Sequence, residues 1–118
     1  MTDAQKKRLE EAGIGVDEVL ERFMNNEALM LKFLLRFPDD PNFLQLREAM
    51  TRQDAKEAFR AAHTLKGITG NLAMHALYQL VSETVEDLRR GDLPKAQSRM
   101  EDLEGLYASM SETIRALG

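Results

Sequence analysis

From Ala96 to Leu117 the apolar residues stand at Ala96, Met100, Leu103, Tyr107, Met110, Ile114 and Leu117, separated alternately by four and three positions. An α-helix gathers such positions into one stripe, and a stripe this long has to be buried against something. A helix opening at Leu93–Pro94 is therefore predicted to run to the end of the chain, because proline is tolerated in a first turn. The spacing suits a coiled coil between two copies. It suits equally well packing at about +20° inside an antiparallel bundle. With long amphipathic neighbours and short connections in the same 118-residue chain, the bundle is the better reading and a monomer is expected.

Those neighbours carry the same period. There is no sustained alternation of period two and no Asn-Gly or Asp-Gly hairpin signal, so the expected class is all-α. A short polar helix is read from Thr2 to Glu11, stopping at Gly13. A second begins near Val16, with Val19, Leu20 and Phe23 at helical spacing. Asn26 caps a third, Glu27 to Phe37. Pro38 and Pro41 break the chain, and Asn42 to Thr51 resumes it with Phe43, Leu46 and Met50 on one face. Asp54 and Glu57 have capping-box spacing and open a helix reaching Asn71. Another spans Met74 to Arg90, with Leu77, Leu80, Val81, Thr84, Val85 and Leu88 inward and Gly91 closing it. The architecture expected is an antiparallel up-down four-helix bundle with additional short N-terminal helices. Residues 1–118 form one domain, in which 1–25 are capping helices and 26–117 the bundle. The segment from Glu27 to Phe37 is apolar around most of its circumference, which predicts burial on two sides, partial service as a docking surface, or both.

Composition narrows the function. Sixteen Lys and Arg against 20 Asp and Glu give a net charge of −4, with no dense basic run, so nucleic acid is not an expected partner. The absence of cysteine excludes disulfides, thiolate metal sites and a cysteine nucleophile, and two histidines, His63 and His75, make a poor basis for a metal centre. Charges interrupt every apolar run, and Met1 to Glu11 is too charged for a secretory signal, so no membrane association and a cytoplasmic location are expected. A chain of this length opening on Met1 is expected to act on its own.

One stretch carries chemistry: Ala61-Ala62-His63-Thr64-Leu65-Lys66-Gly67-Ile68-Thr69-Gly70-Asn71-Leu72-Ala73. On a helical wheel Gly67 falls about 40° from His63, Gly70 about 20° to its other side and Lys66 about 60° away. Ala58, Ala61, Ala62, Leu65, Ile68 and Leu72 occupy the opposite side. The histidine thus faces away from the core. Two glycines inside a helix each cost roughly 0.8–1.0 kcal/mol relative to alanine, and neither has a capping role so deep in the segment. Their benefit is read as missing side chains, which let another molecule approach the imidazole. Lys66, one turn on, can reach a negative group placed on the ring. An exposed imidazole, a nearby ammonium and cleared surroundings suit a histidine that carries a phosphoryl group. His75 lacks this setting and is read as a surface or capping residue.

The pattern His63-x-x-Lys66-Gly67, preceded by alanines and followed by Gly70 and Leu72, resembles the histidine phosphotransfer (HPt) domain of bacterial two-component phosphorelays. Gly13-Ile14-Gly15-Val16-Asp17, the long hydrophobic segment after it and Asp54 at the start of the histidine helix follow that family's order, so the resemblance covers essentially the whole chain. It departs at Ile68, where a small residue is usual, at Ala73, where glycine is common and alanine is expected only to tighten the turn, and in a shorter Pro38–Pro41 region.

The resemblance implies a relay carrier. His63 would take a phosphoryl group from a receiver-domain aspartate and pass it to another receiver. Lys66 would balance its charge, and Gly67, Gly70 and Thr64 would line the partner's approach. A neutral imidazole offers a ring nitrogen lone pair as the nucleophile. Receiver domains of response regulators and a hybrid histidine kinase are the partners implied. No cofactor or metal is expected on this chain, and magnesium would come with the receiver. No Walker or kinase glycine loop is present, so ATP-dependent kinase activity is not expected. The rival readings are a non-catalytic helical adaptor that binds a signalling partner through an apolar surface, and a bundle that self-associates through the C-terminal seam.

Overall fold

The computed structural model describes residues 1–117. Its seven α-helices are α1 (Asp3–Glu11), α2 (Val16–Arg22), α3 (Glu27–Arg36), α4 (Pro41–Thr51), α5 (Ala55–Asn71), α6 (His75–Arg89) and α7 (Leu93–Arg115), with a single 3-10 turn, Phe37–Asp39, before α4. Among the described residues there is no strand, only a lone antiparallel bridge between Ile14 and Met74.

Local chemistry sets most of the boundaries. Thr2 and Gln5 form a reciprocal capping box at α1. Asn26, Asp40, Asp54 and Asp92 each accept a main-chain N–H two or three residues into the helix that follows. At α5 only half of the expected box forms. Asp54 accepts from the Glu57 amide at 3.1 Å, while the Glu57 carboxylate turns to Arg60, whose guanidinium holds it below the usual carboxylate range. Left-handed residues follow α1, α2, α4, α5 and α6. Gly13 and Gly91 do so without strain, whereas Gln53 and Ala73 adopt φ of 58° and 49° as non-glycine residues. At the end of α5 the Ala73 amide donates to Gly70 O and the Met74 amide to Thr69 O, which wraps the chain tightly into α6. Ala73 therefore does more than tighten the turn. It occupies a backbone region that costs an L-residue roughly 1–2 kcal/mol, the physical reason glycine suits that position.

Helices α4, α5, α6 and α7 pack in sequence as an antiparallel bundle, and α7 closes it against α4. The predicted seam of α7 is the inner face: Ala96, Met100, Leu103, Tyr107, Met110 and Ile114 are all buried. Tyr107 stacks on Phe43 with centroids 4.1 Å apart and donates from its hydroxyl to Phe37 O at 2.8 Å, which fastens the 3-10 turn to α7. Assigning residues 26–117 to the bundle needs one change. Helix α3 lies outside the four long helices, against the 3-10 turn and α7, because Pro38 and Pro41 turn the chain before α4 begins. It buries Met30 and Leu34 and also packs on α2, where Phe33 meets Phe23 with ring centroids 5.3 Å apart, but leaves Leu29 and Leu35 exposed. Helices α1 and α2 close the bundle end at the α5–α6 turn. There the Gly15 amide donates to Ala73 O at 3.0 Å.

Candidate functional site

Helix α5 buries Ala58, Ala61, Ala62, Leu65 and Thr69 and turns His63 and Thr64 outward. Thr69 can be buried because its hydroxyl donates to Leu65 O at 2.8 Å. His63 is exposed midway along the helix, and among the described residues no hydrogen bond or ion pair engages its ring. Its aromatic neighbour is Phe59, one turn back, with centroids 5.8 Å apart and planes inclined by 31°. The guanidinium of Arg89 on α6 lies 5.2 Å from the centroid of that phenylalanine.

His63, Lys66, Gly67 and Gly70 line one open groove of about 600 Å³, together with Arg22, His75 and Tyr78. Lys66 is half-buried and has no ion-pair partner among the described residues. Beyond its chain neighbours and its own helix backbone, nothing lies within 4 Å of where a Gly67 Cβ would stand, so that position is open to solvent. Gly70 differs. A Cβ there would come within 3.1 Å of the Tyr78 ring, so the space is filled by this chain's own α6 and is not left for a partner. The reading of Gly70 as a partner-access residue is corrected accordingly: its missing side chain seats Tyr78. Thr64 stays exposed, and its hydroxyl donates back to Arg60 O at 3.0 Å.

The far end of the groove is tied together by α2. Arg22 donates to Gly70 O at 2.6 Å and Asn71 O at 3.2 Å, carbonyls of the last turn of α5, the first of which also accepts from the Ala73 amide. Glu18 holds Arg22 at 3.3 Å and His75 Nε2 at 2.8 Å. His75 is thus engaged where His63 is free. Among the described residues no cluster of three or more His, Cys, Asp or Glu is arranged to hold a metal ion. Among the described residues no helix is long and apolar enough to cross a membrane.

Two residues that line the groove, Tyr78 and Arg22, and one beside His63, Phe59, escaped the sequence reading. Phe59 sits four positions before His63, a spacing that makes side chains meet on a helix, and could have been found. Tyr78 and Arg22 reach the groove from other helices, and no local pattern announces them.

The outside of the antiparallel bundle thus displays an unpartnered imidazole beside a lysine ammonium and an uncovered stretch of helix backbone. The profile of the Hpt domain family matches residues 32–113, and the chain belongs to that family. An Hpt domain is a phosphorelay carrier of two-component signalling, not a kinase, and works with receiver domains and histidine kinases. The matched region starts within α3, leaving α1 and α2 outside it. No curated protein and no solved structure matches the chain.

Proposed function

We propose that His63 is the phosphoryl acceptor of this carrier and that it shuttles the group between receiver domains. The observation that supports this reading is the contrast of the two histidines. The His63 ring has no polar partner and stands in a groove with Lys66 and Gly67, whereas His75 is paired with Glu18. In the transfer step a ring nitrogen of neutral His63 attacks the phosphorus of an aspartyl phosphate. A P–N bond forms as the acyl P–O bond breaks, and the aspartate carboxylate leaves with the electron pair. The ring keeps a proton on its other nitrogen. Attack by a second receiver's aspartate reverses the sequence. Lys66 offsets negative charge on the phosphoryl oxygens, and open space at Gly67 admits the receiver, which supplies the magnesium. Gly70 contributes by seating Tyr78, and Thr64 lies on the exposed face beside the site. A cytoplasmic monomer serving a hybrid kinase and a response regulator is the setting this reading implies.

Incubation with a phosphorylated receiver should label the domain with an acid-labile, alkali-stable adduct, and labelled ATP alone should give none. His63→Gln should abolish labelling with thermal stability nearly unchanged, and His75→Gln should keep labelling. Removal of the label by His75→Gln, with His63→Gln still labelled, would show that the wrong histidine has been assigned.

A further inference from the structure

The two sides of the His63 ring are built differently. Toward the helix N-terminus stands Phe59, and toward the C-terminus Gly67 leaves nothing within 4 Å of where a side chain would begin. Helical side chains lean toward the N-terminal turn, so the imidazole is directed at Phe59 by the backbone itself. The rings, 5.8 Å apart and inclined by 31°, fall in the range of favourable aromatic pairs. Phe59 is half-buried and is not among the residues that line the groove. It is backed in turn from α6. Arg89 lies over its ring, and Glu86 holds Arg89 at 3.3 Å.

An exposed histidine without polar partners has a broad torsion about its second side-chain bond, and a half-turn swaps Nδ1 with Cδ2 and Nε2 with Cε1, so the ring edge bearing Nδ1 takes the place of the edge bearing Nε2. In-line transfer needs one nitrogen held toward the phosphorus while the acyl oxygen leaves from the opposite side. Hydrogen bonding does not supply that restraint here. We infer that Phe59, backed by Arg89, is a positioning residue: its ring holds the His63 imidazole so that a single nitrogen is presented on the side cleared by Gly67. The inference rests on His63 being the phosphoryl acceptor and adds what orients it. Loss of the restraint leaves the chemistry possible but spreads the ring over orientations, some presenting the other nitrogen.

The test uses the full chain and a phosphorylated receiver in single-turnover transfer, followed by NMR of the phosphohistidine to distinguish the Nδ1 and Nε2 isomers. Phe59→Leu fills similar space without an aromatic face. It should slow the maximal transfer rate about tenfold while leaving the receiver concentration for half-saturation unchanged. The wild type should give one isomer and Phe59→Leu a mixture. Phe59→Tyr should restore both rate and single isomer, a rescue that a merely space-filling role would not require. A leucine variant that transfers at the wild-type rate with one isomer overturns the inference. So does a defect confined to the half-saturation concentration, which would make Phe59 a docking contact. A wild-type domain that takes no phosphoryl group on His63 removes the reading of the site itself, an outcome visible before any variant is made.

Discussion

His63 and Asp87 lie on the two helices of one hairpin and are treated in opposite ways. His63 is exposed and unpartnered on α5. Asp87 on α6 is 0% exposed, and its carboxylate takes Arg90 at 2.8 Å and the Arg99 guanidinium of α7, while its main-chain carbonyl accepts from Asp92. A buried charge is tolerated only when it is paired, whereas a nucleophile is useful only while its lone pair is free. The difference separates a holding region from a working one. The buried hydroxyls follow the holding pattern: Thr84 donates to Leu80 O and Tyr107 to Phe37 O, and Ser111 alone among the described residues keeps a buried side-chain oxygen without a partner. Substitutions in the holding region should therefore move stability and leave transfer per folded molecule alone. Those in the working region should do the reverse.

The largest effect expected is at Arg99. The Asp87 hydrogen bond raises the pKa of Arg99 above its ordinary value, and Glu83 adds a second contact at 2.6 Å. Arg99→Leu leaves the buried carboxylate with Arg90 alone and should cost about 3–5 kcal/mol, read as a lowered urea midpoint. Removing the stranded charge as well, in Asp87→Asn with Arg99→Leu, should recover part of that loss. Transfer by the folded fraction should not change. A fall in that rate would break the separation, since it would couple the α6–α7 contact to the groove.

Tyr107 provides a smaller effect with a defined pH window. Burial pushes its phenol up to about 12 from an ordinary 10.0. A group whose pKa is raised by folding supports the folded state fully below the unfolded value and loses that support as pH rises through the folded one. Stability should hold through neutral pH and then fall by about 2 kcal/mol between the two values. Tyr107→Phe should lack this decline, at the expense of about 1 kcal/mol at neutral pH for the lost hydrogen bonds. Equal alkaline slopes in wild type and variant would show that the phenol is not held in its neutral form by the fold.

Much of this division was legible before the structure. Each α7 seam residue from Ala96 to Ile114 is buried, and Asn26 and Asp54 cap the helices assigned to them, because period and capping are local properties. The outward face of His63 followed from the same wheel that buries Ala61, Ala62 and Leu65. What local pattern could not reveal is which helix crosses which. Asp87 is not in the inward set that periodicity gives for its helix, and its burial depends on α7 bringing Arg99 across from twelve positions away. Helix α3 reads as a bundle element until the proline-bounded turn sends it elsewhere. Gly70 reads as cleared surface until α6 lays Tyr78 on it.

Gly67 and Gly70, three residues apart on α5, sit on the boundary between the two regions, and Gly67 tests it with the smallest change in stability. At Gly70 a Cβ would meet Tyr78 ring atoms at 3.1 and 3.3 Å, closer than side chains normally pack. Gly70→Leu should push the ring aside and cost about 1–3 kcal/mol, and Tyr78→Ala in the same chain should return part of it. At Gly67 the added side chain meets nothing, so Gly67→Ala should gain up to about 1 kcal/mol from helix propensity alone. Gly67→Leu should keep a similar gain while its side chain stands where the receiver approaches, so transfer should fall as the melting temperature holds or rises. The two measurements must move in opposite directions for the assignment to stand. If Gly67→Leu transfers normally, the open surface there is not an approach for a partner. If it unfolds the domain instead, Gly67 belongs with Gly70 among the packing glycines, and the working region shrinks to His63 and Lys66.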